Sequence, residues 1–161
     1  MLYGAATYTP DVVPQPRITQ EQAIEMVRQD LEANGLGPIR GIMAFRDIDD
    51  FENRGYISYS EFQDGEYRVP LAYSNAGGSA VTIWSEDSFG GDDGIVQDCS
   101  TSPDAFVCIV SCFSEGQLFW IIDMSSEYYA VDAVSGEIIF SQSRQQQMIQ
   151  NNSEVAKCFR V

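Results

Sequence analysis

Histidine is absent from this chain of 161 residues, and Lys157 is its only lysine. Lysine and arginine together number 9, against 24 aspartates and glutamates, so the formal net charge is −15. Without clustered cations the chain is a poor partner for nucleic acid or for an anionic membrane surface. Without histidine it has neither Ser-His-Asp nor Cys-His catalysis, and no histidine-ligated zinc. The composition therefore argues against nucleic-acid binding, membrane-surface binding and histidine-based enzymes.

Long hydrophobic runs are also lacking. No stretch reaches about 18 consecutive apolar residues, the length typical of a membrane-spanning helix, so we expect no transmembrane segment in this chain. Residues 1–17 show no basic region followed by an apolar one, which predicts no intact signal peptide. Pro10, Pro14 and Pro16 favour extended backbone instead. We expect residues 1–17 to form an extended linker or strand.

Apolar residues make up 44% of the chain, which is enough to form the core of one domain. We expect this domain to cover residues 18–143. One helix is well signalled at the start of that domain. Thr19 and Gln22 match the capping-box pattern, in which each side chain bonds the other residue's backbone. An apolar stripe at helical spacing follows, made of Ala23, Ile24, Val27 and Leu31.

Most of the remaining sequence predicts strands separated by polar or glycine-containing turns. The runs 105–113 and 117–123 are apolar on both faces, which predicts central strands covered on both sides. Residues 85–103 are expected to form a long acidic loop, and Gly136 suits the left-handed position of a hairpin turn. The fold class predicted is α+β, with one N-terminal helix on a twisted antiparallel sheet. The predicted strands are 39–46, 56–62, 66–73, 80–84, 105–113, 117–123, 127–133 and 137–141.

Two stretches together resemble the PepSY domain family. Residues 18–27 read Ile-Thr-Gln-Glu-Gln-Ala-Ile-Glu-Met-Val, and residues 118–139 end in Asp-Ala-Val-Ser-Gly-Glu-Ile-Ile. The resemblance implies a helix packed on an antiparallel sheet, an extracytoplasmic setting, and a protein-binding or peptidase-inhibiting role without catalytic residues. The family's usual unit is shorter, so residues 37–116 would contain a large insertion or extra strands.

Four cysteines, Cys99, Cys108, Cys112 and Cys158, predict two disulfides and hence an extracellular or cell-surface location. Four buried free thiols are the alternative. If residues 105–113 form a strand, Cys108 and Cys112 lie about 13 Å apart, too far to bond each other. Cys99 then pairs with one of these two and Cys158 with the other, and both pairings stay open. In either case Cys158 staples the C-terminal tail, residues 144–161, to the domain.

Two acidic segments are candidate calcium sites, because calcium takes six to eight oxygen ligands and tolerates irregular loops. A solvated loop is the alternative for each segment. The glycine-rich second segment is the better candidate, and calcium is the only cofactor that the sequence suggests. The residues are Asp47, Asp49 and Asp50 in the first segment, and Asp87, Asp92 and Asp93 in the second.

The sequence thus favours a non-catalytic, extracytoplasmic protein-binding module that regulates a peptidase or binds an envelope protein. A second hypothesis is a structural subunit of an extracellular filament or sheath, whose partners are copies of itself. In that case the N-terminal segment adds a strand to a neighbour's sheet edge. A third hypothesis is a calcium-stabilised adhesion module. The candidate interaction residues of the N-terminal segment are Tyr3, Ala5, Thr7 and Thr9.

Overall fold

A computed structural model of the protein describes residues 16–53, 55–74, 80–84, 94–100, 106–113, 116–124 and 127–144. Within these ranges the chain forms three α-helices and eight strands, all paired antiparallel, which confirms the α+β class. Short 3-10 helices cover Ile48–Asn53 and Gln142–Arg144. The elements are α1 (Gln20–Ala33), β1 (Gly41–Ala44), β2 (Gly55–Ser58), α2 (Tyr59–Asp64), β3 (Leu71–Ser74), β4 (Ala80–Trp84), β5 (Ile95–Asp98), α3 (Phe106–Phe113), β6 (Leu118–Met124), β7 (Tyr128–Asp132) and β8 (Ile138–Ser141).

Helix α1 begins and packs as its sequence predicts. The Gln22 backbone N–H donates to Thr19 Oγ1 at 3.1 Å, and the Thr19 N–H donates to Gln22 Oε1 at 2.9 Å. These two bonds satisfy backbone donors that a helix start otherwise leaves unpaired. The predicted apolar stripe is buried, so α1 turns that one face toward the sheet.

Strand β6 is the axis of the sheet. Along one edge it pairs with β7, which in turn pairs with β8. Its other edge is shared by two strands: β3 pairs with the first half of β6 and β1 with its end. Strand β2 lies beyond β1, and β4 and β5 lie beyond β3. The sheet therefore forks along one edge of β6 into a β1–β2 arm and a β3–β4–β5 arm.

The two faces of the sheet support two separate core clusters. All seven residues of β6 are buried, which confirms that the predicted run 117–123 is covered on both sides. Leu118, Trp120 and Ile122 join the apolar stripe of α1 on one face. Phe119 and Ile121 join residues of α3 on the other face. Alternate side chains of β6 thus pack against α1 on one face of the sheet and against α3 on the other.

Helix α3 replaces the strand predicted over residues 105–113, and that prediction was wrong. A short run of apolar residues fits a buried strand and a buried helix equally well, so periodicity cannot separate them. Here Val107, Cys108, Val110 and Ser111 are buried at helical spacing. Four residues of helix rise only about 6 Å. The separation of about 13 Å expected between Cys108 and Cys112 is therefore wrong. The argument that these two cysteines lie too far apart to bond each other depended on that distance and no longer applies.

Two strand predictions and one loop prediction also need correction. The strand predicted over 66–73 begins only at Leu71. The strand predicted over 56–62 ends at Ser58, where a second capping box with Glu61 starts α2. Capping boxes favour helix over strand because the side chains satisfy the first backbone N–H groups. The loop predicted over 85–103 contains β5, which pairs with β4 from Ile83↔Ile95 to Ala80↔Asp98. The predicted strands 80–84, 127–133 and 137–141 are confirmed within about two residues at each end.

The domain boundaries proposed from the sequence stay predictions. Residues 1–15 and 145–161 lie outside the described residues, and so do Tyr3, Ala5, Thr7, Thr9 and Cys158. In the described part, Arg17 and Ile18 already belong to the domain, because both backbone N–H groups donate to Ala133 O at 2.8 and 2.9 Å. None of the described helices is long and apolar enough to cross a membrane.

Candidate functional site

The two stretches that carry the family resemblance lie against each other, and we call them together the helix–hairpin unit (residues 18–27 and 118–139). The indole Nε1 of Trp120 donates to Ile18 O at 2.8 Å. At the other end of α1, the Tyr129 hydroxyl donates to Asp30 Oδ2 at 2.7 Å. Hydrogen bonds therefore hold both ends of α1 to the β6–β7 pair.

The hairpin turn between β7 and β8 is fixed by Asp132. Its Oδ1 accepts the backbone N–H of Val134 at 2.7 Å and that of Ser135 at 2.8 Å. Gly136 follows with φ +81°, which confirms the left-handed conformation predicted for it. A Cβ at Gly136 would lie 2.6 Å from Met26 Cε, so the turn also approaches α1 closely.

The solvent-facing side of α1 is acidic. Arg28 forms ion pairs with Glu25 and, at 2.6 Å, with Glu32. The Arg28 guanidinium lowers the pKa of Glu25, and the Glu25 carboxylate raises the pKa of Arg28. Both groups are exposed, so water screens this pairing and it adds little to stability. Beside them Glu21, Glu25 and Met26 line a shallow depression, which we call the α1 groove.

A cavity of about 220 Å³ lies on the opposite face of the sheet, beside α3. Six elements contribute to its wall: β1, the first 3-10 helix, β5, α3, β6 and β7. Phe106 of α3 stacks on Tyr128 of β7, with ring centroids 4.8 Å apart. Seven of the nine described lining residues are apolar or aromatic, and the other two, Gln97 and Asp123, are polar. The lining includes Met43, Phe51, Phe106, Ile121, Asp123 and Tyr128.

Asp123 is the one acidic residue among the described lining residues of this cavity, and it is only 4% exposed. The Tyr56 hydroxyl lies 2.6 Å from Asp123 Oδ1 and also contacts Met124 O. Burial, and then the hydrogen bond and negative charge of Asp123, raise the pKa of Tyr56 well above its usual range. Tyr56 therefore stays a protonated hydrogen-bond donor at any physiological pH.

Helix α3 is fastened over the cavity by a disulfide and by hydrogen bonds. Cys99, just after β5, is bonded to Cys108 of α3, with their Cα atoms 5.3 Å apart. The Ser74 hydroxyl donates to Ser111 O at 3.1 Å, and the Ser111 hydroxyl donates to Cys108 O at 2.8 Å. This disulfide is one of the two bonds in one of the pairings expected from the sequence. The other bond of that pairing would join Cys112, on the same helix, to Cys158, which lies outside the described residues, so it stays a prediction.

The first predicted calcium segment serves a structural purpose in the fold. Asp47 Oδ1 accepts the backbone N–H groups of Asp49 and Asp50, at 3.0 and 3.1 Å, and so starts the 3-10 helix. Within the described ranges no three acidic or cysteine side chains are grouped to hold a metal ion. Residues Asp87, Asp92 and Asp93 lie outside those ranges. Calcium binding stays a prediction, testable by melting the protein with and without excess calcium.

Sequence reasoning did not single out the residues around the cavity. The sequence predicts Tyr56 and Tyr128 on strands, but no feature of it indicates that they lie close to Asp123. One signal was available: Asp123 directly follows five apolar residues on a strand predicted to be covered on both faces. Burying a carboxylate at such a position costs free energy unless the group is paired or hydrogen-bonded, so the pattern indicates that Asp123 has a partner.

Comparisons with known proteins add no family or relative to this description. A scan against protein-family models, a search of curated proteins and a search of solved structures all found no match.

Proposed function

We propose that this chain is a non-catalytic, PepSY-like protein-binding module that acts outside the cytoplasm. The observation that supports the proposal is the mutual packing of the helix–hairpin unit. Its two stretches are about 90 residues apart in sequence, yet the Trp120 indole bonds Ile18 O, and Ala133 O receives the N–H groups of Arg17 and Ile18. A helix packed on an antiparallel hairpin is the arrangement that the resemblance implies, and this packing supports the proposal for that reason.

The disulfide between Cys99 and Cys108 supports the extracytoplasmic part of the proposal. Disulfides persist in oxidising compartments and are rare where thiols are kept reduced. The excess of acidic residues is also consistent with a protein that stays soluble and repels copies of itself at low ionic strength.

The α1 groove is the face on which we expect a partner. Met26 supplies a half-buried apolar contact, and Glu21 and Glu25 supply negative charge beside it. An apolar centre with a charged rim is the usual arrangement of a protein interface. Complementarity then calls for a partner surface with an apolar side chain flanked by lysine or arginine. A peptidase or an envelope protein with such a surface is the proposed partner.

Affinity capture with charge-reversed baits tests this proposal. The wild-type chain should capture a peptidase or envelope protein from the native secretome, and the purified partner should then bind directly. Glu21→Lys should weaken that binding about tenfold or more, because it reverses the charge at the groove. Asp64→Lys makes the same change of charge on α2 and should leave binding unchanged.

Two results would count against the proposal. If the wild-type bait recovers no peptidase or envelope protein, the function assigned here is wrong. If a partner is recovered but binds Glu21→Lys as tightly as the wild type, the module binds proteins through another face.

A second candidate function, the subunit of an extracellular assembly, is favoured by the exposed edge at β5. Among the described residues β5 pairs with β4 alone, and Val96 on it is 63% exposed. Such an edge can accept a strand from another chain. A truncated chain that begins at Arg17 should then stay monomeric in size-exclusion chromatography while the full chain assembles. Equal assembly by both chains would exclude this route.

A further inference from the structure

We propose that the cavity between the sheet and α3 binds a small neutral ligand, a single aromatic ring with one hydroxyl group, and that the side-chain amide of Gln97 bonds this hydroxyl. The site lies on the other face of the sheet from the α1 groove, so the proposal is independent of the protein-binding function. It rests on the volume of the cavity, its apolar floor and the position of Gln97 beside it.

The size of the cavity limits the ligand to one ring. Its volume is about 220 Å³. An apolar cavity of about 150 Å³ is enough to hold benzene, whereas sites for drug-sized molecules start near 300 Å³. The cavity therefore has room for a benzene ring with a short substituent.

The exposure of the lining residues indicates how such a ligand lies. Phe51, Val107 and Ile121 are buried and form an apolar floor, whereas Gln97 and Phe106 are half-buried and lie nearer to solvent. A ring on this floor removes its own apolar surface from water, which is the main source of its binding free energy. The ring is therefore expected inside the cavity, and the hydroxyl group at its rim beside Gln97.

The register of β5 turns Gln97 toward this side of the sheet. Gln97 pairs directly with Val81 of β4, and paired residues carry their side chains on the same face. Val81 belongs to the core cluster that contains α3, and Ile95, two residues before Gln97, packs against the same cluster. Among the described residues, Cys99 Sγ contacts Gln97 through the backbone oxygen, which leaves the side-chain amide as a donor and an acceptor for a ligand.

The ligand is neutral because the charged group at the cavity already has partners. Asp123 is the one charged residue in the described lining; its Oδ1 lies 2.6 Å from the Tyr56 hydroxyl, and it has a further interaction within the protein. An ammonium group would lose its water here without meeting a free carboxylate, and an anion would be repelled. A hydroxyl group both donates and accepts, as the Gln97 amide does.

The cavity is held open before a ligand arrives. The disulfide between Cys99 and Cys108 ties α3 to the end of β5, two residues beyond Gln97. The bond from Ser74 to Ser111 fixes the same helix against β3. Native cores hold few voids larger than a water molecule. A preformed, mostly apolar cavity with a few polar groups is the usual form of a ligand site.

The test uses benzyl alcohol, toluene and benzylamine, which share one ring and differ in the group attached to it. Binding to the full chain is followed by NMR titration. Benzyl alcohol and toluene should both bind, with shifts on Phe106, Val107 and Ile121. Benzylamine, which is cationic at neutral pH, should bind no more tightly than benzyl alcohol, because its ammonium group is desolvated without a free partner.

Two variants test the contact with Gln97. Gln97→Met keeps an unbranched side chain but removes the amide, so it should weaken the binding of benzyl alcohol about fivefold, the factor that a neutral hydrogen bond is worth. The binding of toluene should not weaken. Gln63→Met makes the same change at an exposed position of α2 and should leave the binding of both ligands as in the wild type.

Several results would overturn the proposal: no binding of benzyl alcohol, shifts confined to the outer face of α1, or tighter binding of benzylamine at the lining residues. So would a Gln97→Met variant that binds benzyl alcohol as tightly as the wild type, or that loses affinity for both ligands equally. If Gln97→Met does not fold, the position of the shifts and the comparison with benzylamine on the wild-type chain still decide the matter.

Discussion

Replacing Asp132 with alanine should destabilise the fold by about 3 kcal/mol. Asp132 Oδ1 accepts two backbone N–H groups, those of Val134 and Ser135, at 2.7 and 2.8 Å, and the residue is only 8% exposed. Hydrogen bonds to a charged group contribute about 1.5–3 kcal/mol each. Two bonds that share one oxygen add up to less than twice that amount, which gives about 3 kcal/mol in total.

The matched variant is Asp132→Asn. Asparagine keeps an acceptor oxygen in the same place and is itself favoured in such turns, but it loses the charge. Its cost should be about half that of the alanine variant. Ser135→Ala is a second control, because the Ser135 hydroxyl only accepts one exposed bond from the Glu137 N–H at 3.2 Å. That variant should change stability by less than about 0.5 kcal/mol.

Urea unfolding followed by tryptophan fluorescence measures these differences, since Trp84 and Trp120 are both fully buried and report loss of the core. In a thermal melt about 1 kcal/mol corresponds to roughly 2–4 °C for a chain of this size. The Asp132→Ala variant should thus melt about 6–12 °C lower. If its stability stays within about 0.5 kcal/mol of the wild type, or if Asp132→Asn costs as much as Asp132→Ala, the reasoning is refuted.

Three further changes in stability should follow from the structure. Gly136→Ala should lower the free energy of unfolding by about 1–3 kcal/mol, because φ is +81° and the new Cβ would meet Met26, and an unchanged thermal melt would contradict this. Thr82→Val should stabilise by about 1 kcal/mol, since within the described part of the chain Thr82 Oγ1 is buried without a hydrogen-bond partner. A destabilised valine variant in urea unfolding would show that this hydroxyl does have a partner. Replacing Cys99 and Cys108 together with serine should cost about 2–3 kcal/mol, from the nine-residue separation that the disulfide closes, and calorimetry that finds equal stability would argue against a disulfide there.

The parts of the fold that the sequence predicts well are those with local signals. The Thr19–Gln22 capping box sets the start of α1 whatever it packs against. Gly136 marks the hairpin turn because few other residues adopt its backbone conformation. The all-apolar run of β6 indicates a strand covered on both faces, and both core clusters contact it.

The parts that the sequence does not predict depend on contacts between distant residues. Helix α3 has β-branched and aromatic residues that favour a strand locally, but its buried face fits the sheet surface and Cys108 bonds Cys99. Strand β5 lies in a polar segment and exists because β4 offers it an edge. The same holds for the cavity: Tyr56 and Asp123 meet across 67 residues because β1 pairs with both β2 and β6.

The cavity lies where the two parts of the domain join. Ile121, Asp123 and Tyr128 belong to the helix–hairpin unit, whereas Met43, Phe51 and Phe106 come from residues 37–116, the stretch that the resemblance leaves unmatched. These residues belong to different arms and layers: Met43 to the β1–β2 arm, and Phe106 to α3, which covers the sheet face opposite α1. The extra sequence therefore does more than lengthen the sheet. It adds a second layer over the face of β6 that carries Phe119 and Ile121, and the cavity beside Asp123 is bordered by that layer.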